Sequence, residues 1–249
     1  VDGTTSFKIK FQGPALDPLS ADINAQASLN NVNISSSTLK QNLTRISGEL
    51  KASGHSLSWE DFSFDYMNRT FSLNGHLDDF KNPRVTTNLL TQGIEIESAF
   101  NKKDNLITIT NLSGHYLSAV FDATGSVDLS SKAPTLDIKN NLRFKLEDIG
   151  NFMPDLKKNL DPLKLSGLIS VKTNLTGPAA NFKEIMAHSN ASCDEAQIAG
   201  LKFTNLNAEA ILEEGKVKKL NLQSNLYDGT LNILSSADLN RPNTPFETA

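Results

Sequence analysis

Four histidines, four of the five adjacent acidic pairs and one cysteine are the residues whose types could support catalysis or metal binding here. The histidines are His55, His76, His115 and His188, and three of them directly follow Gly54, Gly75 and Gly114. Their spacing matches no zinc pattern, and no cysteine pair accompanies them. Turn histidines in solvent are the expected reading. The acidic pairs are Glu60-Asp61, Asp78-Asp79, Glu147-Asp148 and Glu213-Glu214. Glycoside hydrolysis needs two opposed carboxylates across a cleft, and these pairs fall instead at turns and on polar faces. GPALDPLS and GPAANFKE lack the glycine and lysine spacing of a phosphate-cradling loop. Cys193 falls on a small apolar position of a repeat. The expectation is therefore a protein with no catalytic residues, no metal and no cofactor. Sequons occur at Asn33, Asn42, Asn68, Asn111, Asn174 and Asn190, and they carry meaning only in a secreted eukaryotic chain.

Composition narrows the classes further. The formal net charge is -4 with both signs interspersed, so no basic field exists to hold a nucleic-acid backbone and no polybasic patch to hold a membrane. Hydrophobic residues make up 38% and mean hydropathy is -0.30. One cysteine excludes an internal disulfide framework. No run approaches the roughly 18 apolar residues that span a bilayer. The chain begins at Val1, inside a repeat, which suggests a piece of a longer protein or a mature form.

The elements that must position any site are repeated. SLSWEDFSFDYMNRTFSLNGHLDDFKNPRV from Ser56, LITITNLSGHYLSAVFDATGSVDLSSKAPTL from Leu106 and KVKKLNLQSNLYDGTLNILSSADLNRPNTPF from Lys216 share one layout. Each has a strand-like run, a short turn, a second alternating run, then a small residue, an Asp and a Pro. Gly75, Gly125 and Ser235 are equivalent in it. A longer repeat encloses the short one: SFKIKFQGP from Ser6 matches SVKTNLTGP from Ser170, which aligns Gly13-Pro14 with Gly177-Pro178 and Leu29 with Cys193. Self-similarity of this kind defines a repeat architecture. The expected organisation is one elongated repeat domain over 1–249, with internal units of about 1–145 and 165–249 joined by a partly helical segment, 146–164.

Period-two alternation predicts the strands. Leu117, Ala119, Phe121, Ala123, Gly125, Val127 and Leu129 alternate with polar residues, as do Leu136, Ile138, Leu142, Phe144 and Leu146. Such strands suit an antiparallel sheet wetted on one side. Parity breaks between Trp59 and Phe62, so a β-bulge is expected near Glu60-Asp61. LEDIGNFMPDLKKNL from Leu146 has helical spacing, and Pro154 should divide it into two short turns. NFKEIMAHS from Asn181 has helical propensity, but the long repeat assigns β structure from Ile185.

ISGELKASGHSLSWEDFSFDYMNRTFSLNGHLDDFKNPRVTTNL resembles the repeats of the bacterial AsmA-like family, and LEDIGNFMPDLKKNLDPLKLSGLISVKTNLTGP is similar to that family's short helical insert followed by a Leu-Ser-Gly strand and a Gly-Pro turn. The resemblance covers nearly the whole chain. It implies an all-β fold, an elongated, twisted antiparallel sheet forming a taco-like groove. It also implies a non-enzymatic segment that shields phospholipid or other acyl chains between inner and outer membranes, in the periplasm, within a full-length protein anchored in the inner membrane. The apolar sides of the best-alternating strands supply the groove candidates: Phe62, Phe64, Phe71, Leu73, Phe121, Val127, Ile138, Leu142, Phe144, Ile169 and Val171. The alternative is a structural or adhesive β-repeat module whose apolar face is a closed core with no lipid ligand. The two differ in one observable: a groove leaves these side chains partly open, and a closed module buries them.

Overall fold

The computed structural model describes residues 2–12, 22–35, 42–152, 154, 157–240 and 247–248. The chain is all-β and antiparallel, and strand order follows chain order. It divides into two compact units, Val1–Gly114 and His115–Ala249. The division falls inside a strand, so contact density partitions the chain differently from the long sequence repeat.

The first unit is a meander of β1 (Asp2–Gln12), β2 (Asp22–Ile34), β3 (Leu43–Gly54), β4 (Ser56–Tyr66), β5 (Arg69–Asp78), β6 (Arg84–Thr91) and β7 (Ile94–Lys103), with most of β8 (Leu106–Tyr116). The second contains β9 (Ala119–Asp128), β10 (Thr135–Lys145), β11 (Ser166–Pro178), β12 (Met186–Ile198), β13 (Leu201–Glu213), β14 (Lys216–Leu226), β15 (Gly229–Asp238) and the two-residue β16 (Glu247–Thr248). Among the described residues short turns join most neighbouring strands, as antiparallel pairing allows, and a longer connection, 146–165, joins β10 to β11.

The short repeat has constant dimensions. β4, β8 and β14 each have 11 residues, and the strands that follow them, β5, β9 and β15, each have 10. The first turn residue is left-handed in all three, at Met67 (φ 50°), Leu117 (φ 53°) and Tyr227 (φ 53°). The repeats also close alike: the Ser130 and Asn240 amides donate to Asp128 and Asp238 Oδ1, at 2.8 and 3.0 Å. An Asp accepting from the backbone two residues on makes a turn without a glycine, which explains the Asp in the repeat.

Ser130, first through its hydroxyl and then through its amide, holds the Asp128 carboxyl below the usual aspartate range. A depressed carboxylate stabilises the fold above its unfolded pKa, about 3.9, and loses that contribution as pH falls through the lower folded value. Asp128→Asn should therefore melt slightly earlier than wild type at pH 7. The gap should begin to narrow as melts are taken below about pH 3.9 and close once pH is below the lower folded value; a gap independent of pH would show that charge has no part in this turn.

The long repeat is visible in the pairing. β2 and β12 both have 13 residues. Leu29 and Cys193 occupy equivalent positions on them, half-buried and buried respectively. Gly3 faces Val32 and Gly167 faces Ala196, each beside a register shift. The Gly13-Pro14 turn lies outside the described residues, as does the proline turn of the third short repeat.

The expected bulge is present. β4 and β5 shift register between Trp59 and Phe62, Asp61 is left-handed (φ 50°), and its amide donates to Asn74 Oδ1 at 2.8 Å. The extra residue returns Phe62 and Phe64 to the side occupied by Trp59. Among the described residues α-helix is confined to the connection after β10. A 3-10 turn (Leu146–Asp148) leads into α1 (Ile149–Phe152), and α2 (Lys157–Leu160) runs into a second 3-10 turn (Asp161–Leu163). A single 3-10 turn (Phe182–Glu184) precedes β12, which begins at Met186.

Candidate functional site: the uncovered apolar faces

Residues directly opposite on antiparallel strands share a face, so the registers assemble the sequence candidates into rows. In the first unit Phe62 opposes Leu73, and Leu73 opposes Leu89. Phe64 opposes Phe71, with rings stacked at 5.2 Å. Trp59 lies against Gly75, whose missing side chain leaves room for the indole: a Cβ there would sit 2.7 Å from the ring.

In the second unit one row runs Phe121, Leu142, Val171, Ala191, Ala208, Leu222, Ile233 across seven strands. A second runs Gly125, Ile138, Leu175, Ala187, Leu212, Val217, Ala237. Val127 extends the face beside Leu136. Between the two rows lie Ala123, Asn140, Thr173 and Ser189, where the Thr173 and Ser189 hydroxyls bond at 2.9 Å. The apolar face thus has a narrow polar seam.

All eleven candidates are half-buried and none is buried. A sheet packed against a second sheet buries its large inward side chains in a layer about 10 Å thick. Among the described residues the buried hydrophobics are few and mostly small: Val32 and Ile46 in the first unit, and Ala119, Ala123, Cys193, Ala196, Phe203, Leu206 and Ala237 in the second. The described apolar faces are therefore not covered as a sandwich core is.

One end of the second unit's face is covered. Phe152 of α1 meets Phe144 edge-on at 5.7 Å and Tyr116 at 5.9 Å. Phe144 opposes Ile169, and Ile169 and Leu146 pack on a small core of Cys193, Ala196, Phe203 and Leu206. Cys193 is 3% exposed, and its thiol donates to the Glu195 carbonyl at 3.1 Å. Burial pushes that thiol up from its ordinary value, which disfavours the reactive thiolate.

The opposite face is polar. Ser170, Lys172, Asn190, Asn207, Glu209 and Gln223 are among the residues lining a shallow concavity of about 390 Å³. Lys219 and His188 flank Glu209, and the Lys219 hydrogen bond is the main cause that holds its carboxyl below the usual range. The four histidines are exposed and lie apart along the chain. His76 bonds Thr86 Oγ1 at 2.8 Å and His188 approaches Glu209 at 3.2 Å. Among the described residues no group of three metal-ligating side chains converges.

Sequence reading missed Trp59, Leu175, Leu222 and Ile233, which share the same rows. Alternation in the third repeat could have found Leu222 and Ile233. The Tyr116, Phe144 and Phe152 cluster had no sequence signal, because it joins two strands to an insert.

No family model matches this chain, and neither does any curated protein or solved structure.

Proposed function

We propose that the apolar faces bind the acyl chains of phospholipid or another lipid, and that the chain is a non-enzymatic lipid-binding or lipid-conducting segment of a cell-envelope protein. One observation carries the reading: large apolar side chains line up across neighbouring strands and stay partly exposed, with none of the eleven buried. Water contact with such rows is unfavourable, and each methylene laid on them gains on the order of 0.8 kcal/mol. The row from Phe121 to Ile233 crosses seven strands, roughly 29 Å at the usual strand spacing. That is close to the full hydrocarbon thickness of a bilayer, about 30 Å, so the row exceeds the acyl length of one leaflet.

The resemblance to AsmA-like repeats supports an envelope setting, with the periplasm as the proposed site of action. The proposed membrane contacts belong to other parts of a longer protein anchored in the inner membrane. Native mass spectrometry with lipid identification is the test, on protein purified from a bacterial host without delipidation. Co-purifying acyl lipid, displaced when an aspartate is placed on the rows, is the expected result. Lipid-free protein that also fails to take up lipid from vesicles would favour the structural module instead.

A further inference from the structure

The polar face of the second unit is uneven in charge. On β10 the residues on the side away from Leu142 are Lys139, Asn141 and Arg143, and β11 carries Ser170 and Lys172 on that side. Lys172 lies opposite Asn141, so Lys139 and Arg143 are its diagonal neighbours, roughly 7–8 Å away across the ladder. All three cations are exposed. Lys202, Lys218 and Lys219 each meet a glutamate. Among the described residues no carboxylate pairs with Lys139, Arg143 or Lys172. Two acids share this face on β9 and β10. Asp122 lies opposite Asn141 and accepts from its side-chain amide at 2.6 Å, and Asp137 stands near the start of β10, opposite Thr176. Like charges grouped on a sheet repel, so Arg143 and Lys172 form a basic spot that costs stability, in a chain whose net charge is -4.

This spot borders the concavity of about 390 Å³. Lys172 is part of the concavity's wall, and Arg143 lies opposite Ser170, another wall residue. From there the wall crosses three more strands in two rows. One runs Lys172, Asn190, Glu209, Asn221, and the other Ser170, Ser192, Asn207, Gln223. Among the described residues the Asn190, Asn221 and Gln223 side chains have no hydrogen-bond partner, and Asn207 donates to the Asn205 carbonyl at 2.9 Å. Free amides thus stand beside free cations. Glu209 is the one acid in the wall, and Lys219 and His188 offset its charge.

We propose that this concavity binds an acidic saccharide, a sugar chain bearing uronic acid carboxylates. A sugar hydroxyl both donates and accepts, and a side-chain amide offers one group of each kind. The rows of amides and serines match a chain of hydroxyls. The Arg143 fork suits a carboxylate, which it can hold through two parallel hydrogen bonds, and Lys172 adds a second positive charge beside it. No aromatic ring lies in the wall, so the stacking platform of a single-stranded nucleic acid site is missing. The concavity is on the face away from the Phe121 row, and the inference does not rest on the lipid reading.

The probe is the galacturonic acid trisaccharide, titrated into the full 249-residue chain at low ionic strength, with the uncharged galactose trisaccharide and inorganic phosphate as comparators. The acidic sugar should bind on the order of tenfold more tightly than the neutral one, and salt should erode the difference. Arg143→Gln combined with Lys172→Gln should abolish that advantage and leave the melting temperature unchanged, since both side chains are exposed. Asn221→Ala combined with Gln223→Ala should weaken the acidic sugar at unchanged charge. Lys202→Gln, whose lysine already pairs with Glu195, should alter nothing. Four results overturn the proposal: no binding of the acidic sugar, equal affinity for both sugars, undiminished affinity in the Arg143 and Lys172 double variant, or displacement by an equal concentration of phosphate. The last would make this a site for any small anion. Failure to recover lipid leaves these outcomes unaltered, so the two ideas fail separately.

Discussion

Phe121→Asp should leave the chain folded while lipid recovered by photo-crosslinking falls on the order of tenfold or more. Phe121 is partly buried, so removing its ring gives up much of the 1.5–3 kcal/mol of a fully buried large side chain. The new carboxylate stays in contact with water and escapes the desolvation that makes a buried charge cost several kcal/mol. The expected loss is about 1–2 kcal/mol, or roughly 2–8 °C in melting temperature for a chain of this size. A charge on the row must instead be desolvated by any acyl chain lying across it, at about 1.4 kcal/mol for each tenfold in affinity. Phe144→Asp should behave differently, because Phe152 covers that ring and Ile169 beside it packs on the buried core. It should lose more stability than Phe121→Asp. Equal unfolding of both variants, with no lipid recovered from wild type, would show that the face is a closed core.

Gly125→Ala should be among the most damaging single substitutions. Gly125 has φ +152°, and a Cβ would lie 2.1 Å from the Asp137 carbonyl oxygen on β10. Backbone strain of about 1–3 kcal/mol adds to overpacking of similar size, and neither can relax because the obstacle is main chain in the neighbouring strand. Gly75→Ala should disturb its own sheet in the same way. There the Cβ would meet the Thr86 carbonyl oxygen at 2.3 Å and the Trp59 ring at 2.7 Å. Trp59 is the single tryptophan, so its emission should shift to the red as the indole leaves Gly75. Gly93→Asn is the control, since Gly93 has φ +77° and open space around it, and Asn tolerates that conformation. Melting of Gly125→Ala within a degree or two of wild type would mean that β9 and β10 do not pair in this register.

Much of the local structure was legible. Strands β4, β8 and β14 begin at Ser56, Leu106 and Lys216, the same residues at which the repeated stretches begin. Alternation is a local signal, and a change of parity between Trp59 and Phe62 can only be repaired by an extra residue, so the bulge was legible too. Pro154 cannot sit inside a helix, which explains why the insert forms short turns. The groove candidates were chosen strand by strand, and the registers put Phe64 on Phe71, Phe62 on Leu73, and Phe121, Leu142 and Val171 in one row.

Sequence by itself determined that the chain is antiparallel β, where its strands turn, and which side of each strand is apolar. These follow from side-chain periodicity and turn chemistry, which act over a few residues. Only the tertiary structure decided whether the apolar side is covered. An identical alternation suits a sandwich core and an open face, because burial depends on what lies about 10 Å above the sheet. It also decided that α1 covers Phe144 while Phe121 is only partly buried. Those contacts join residues distant in the chain, and no short-range pattern encodes them.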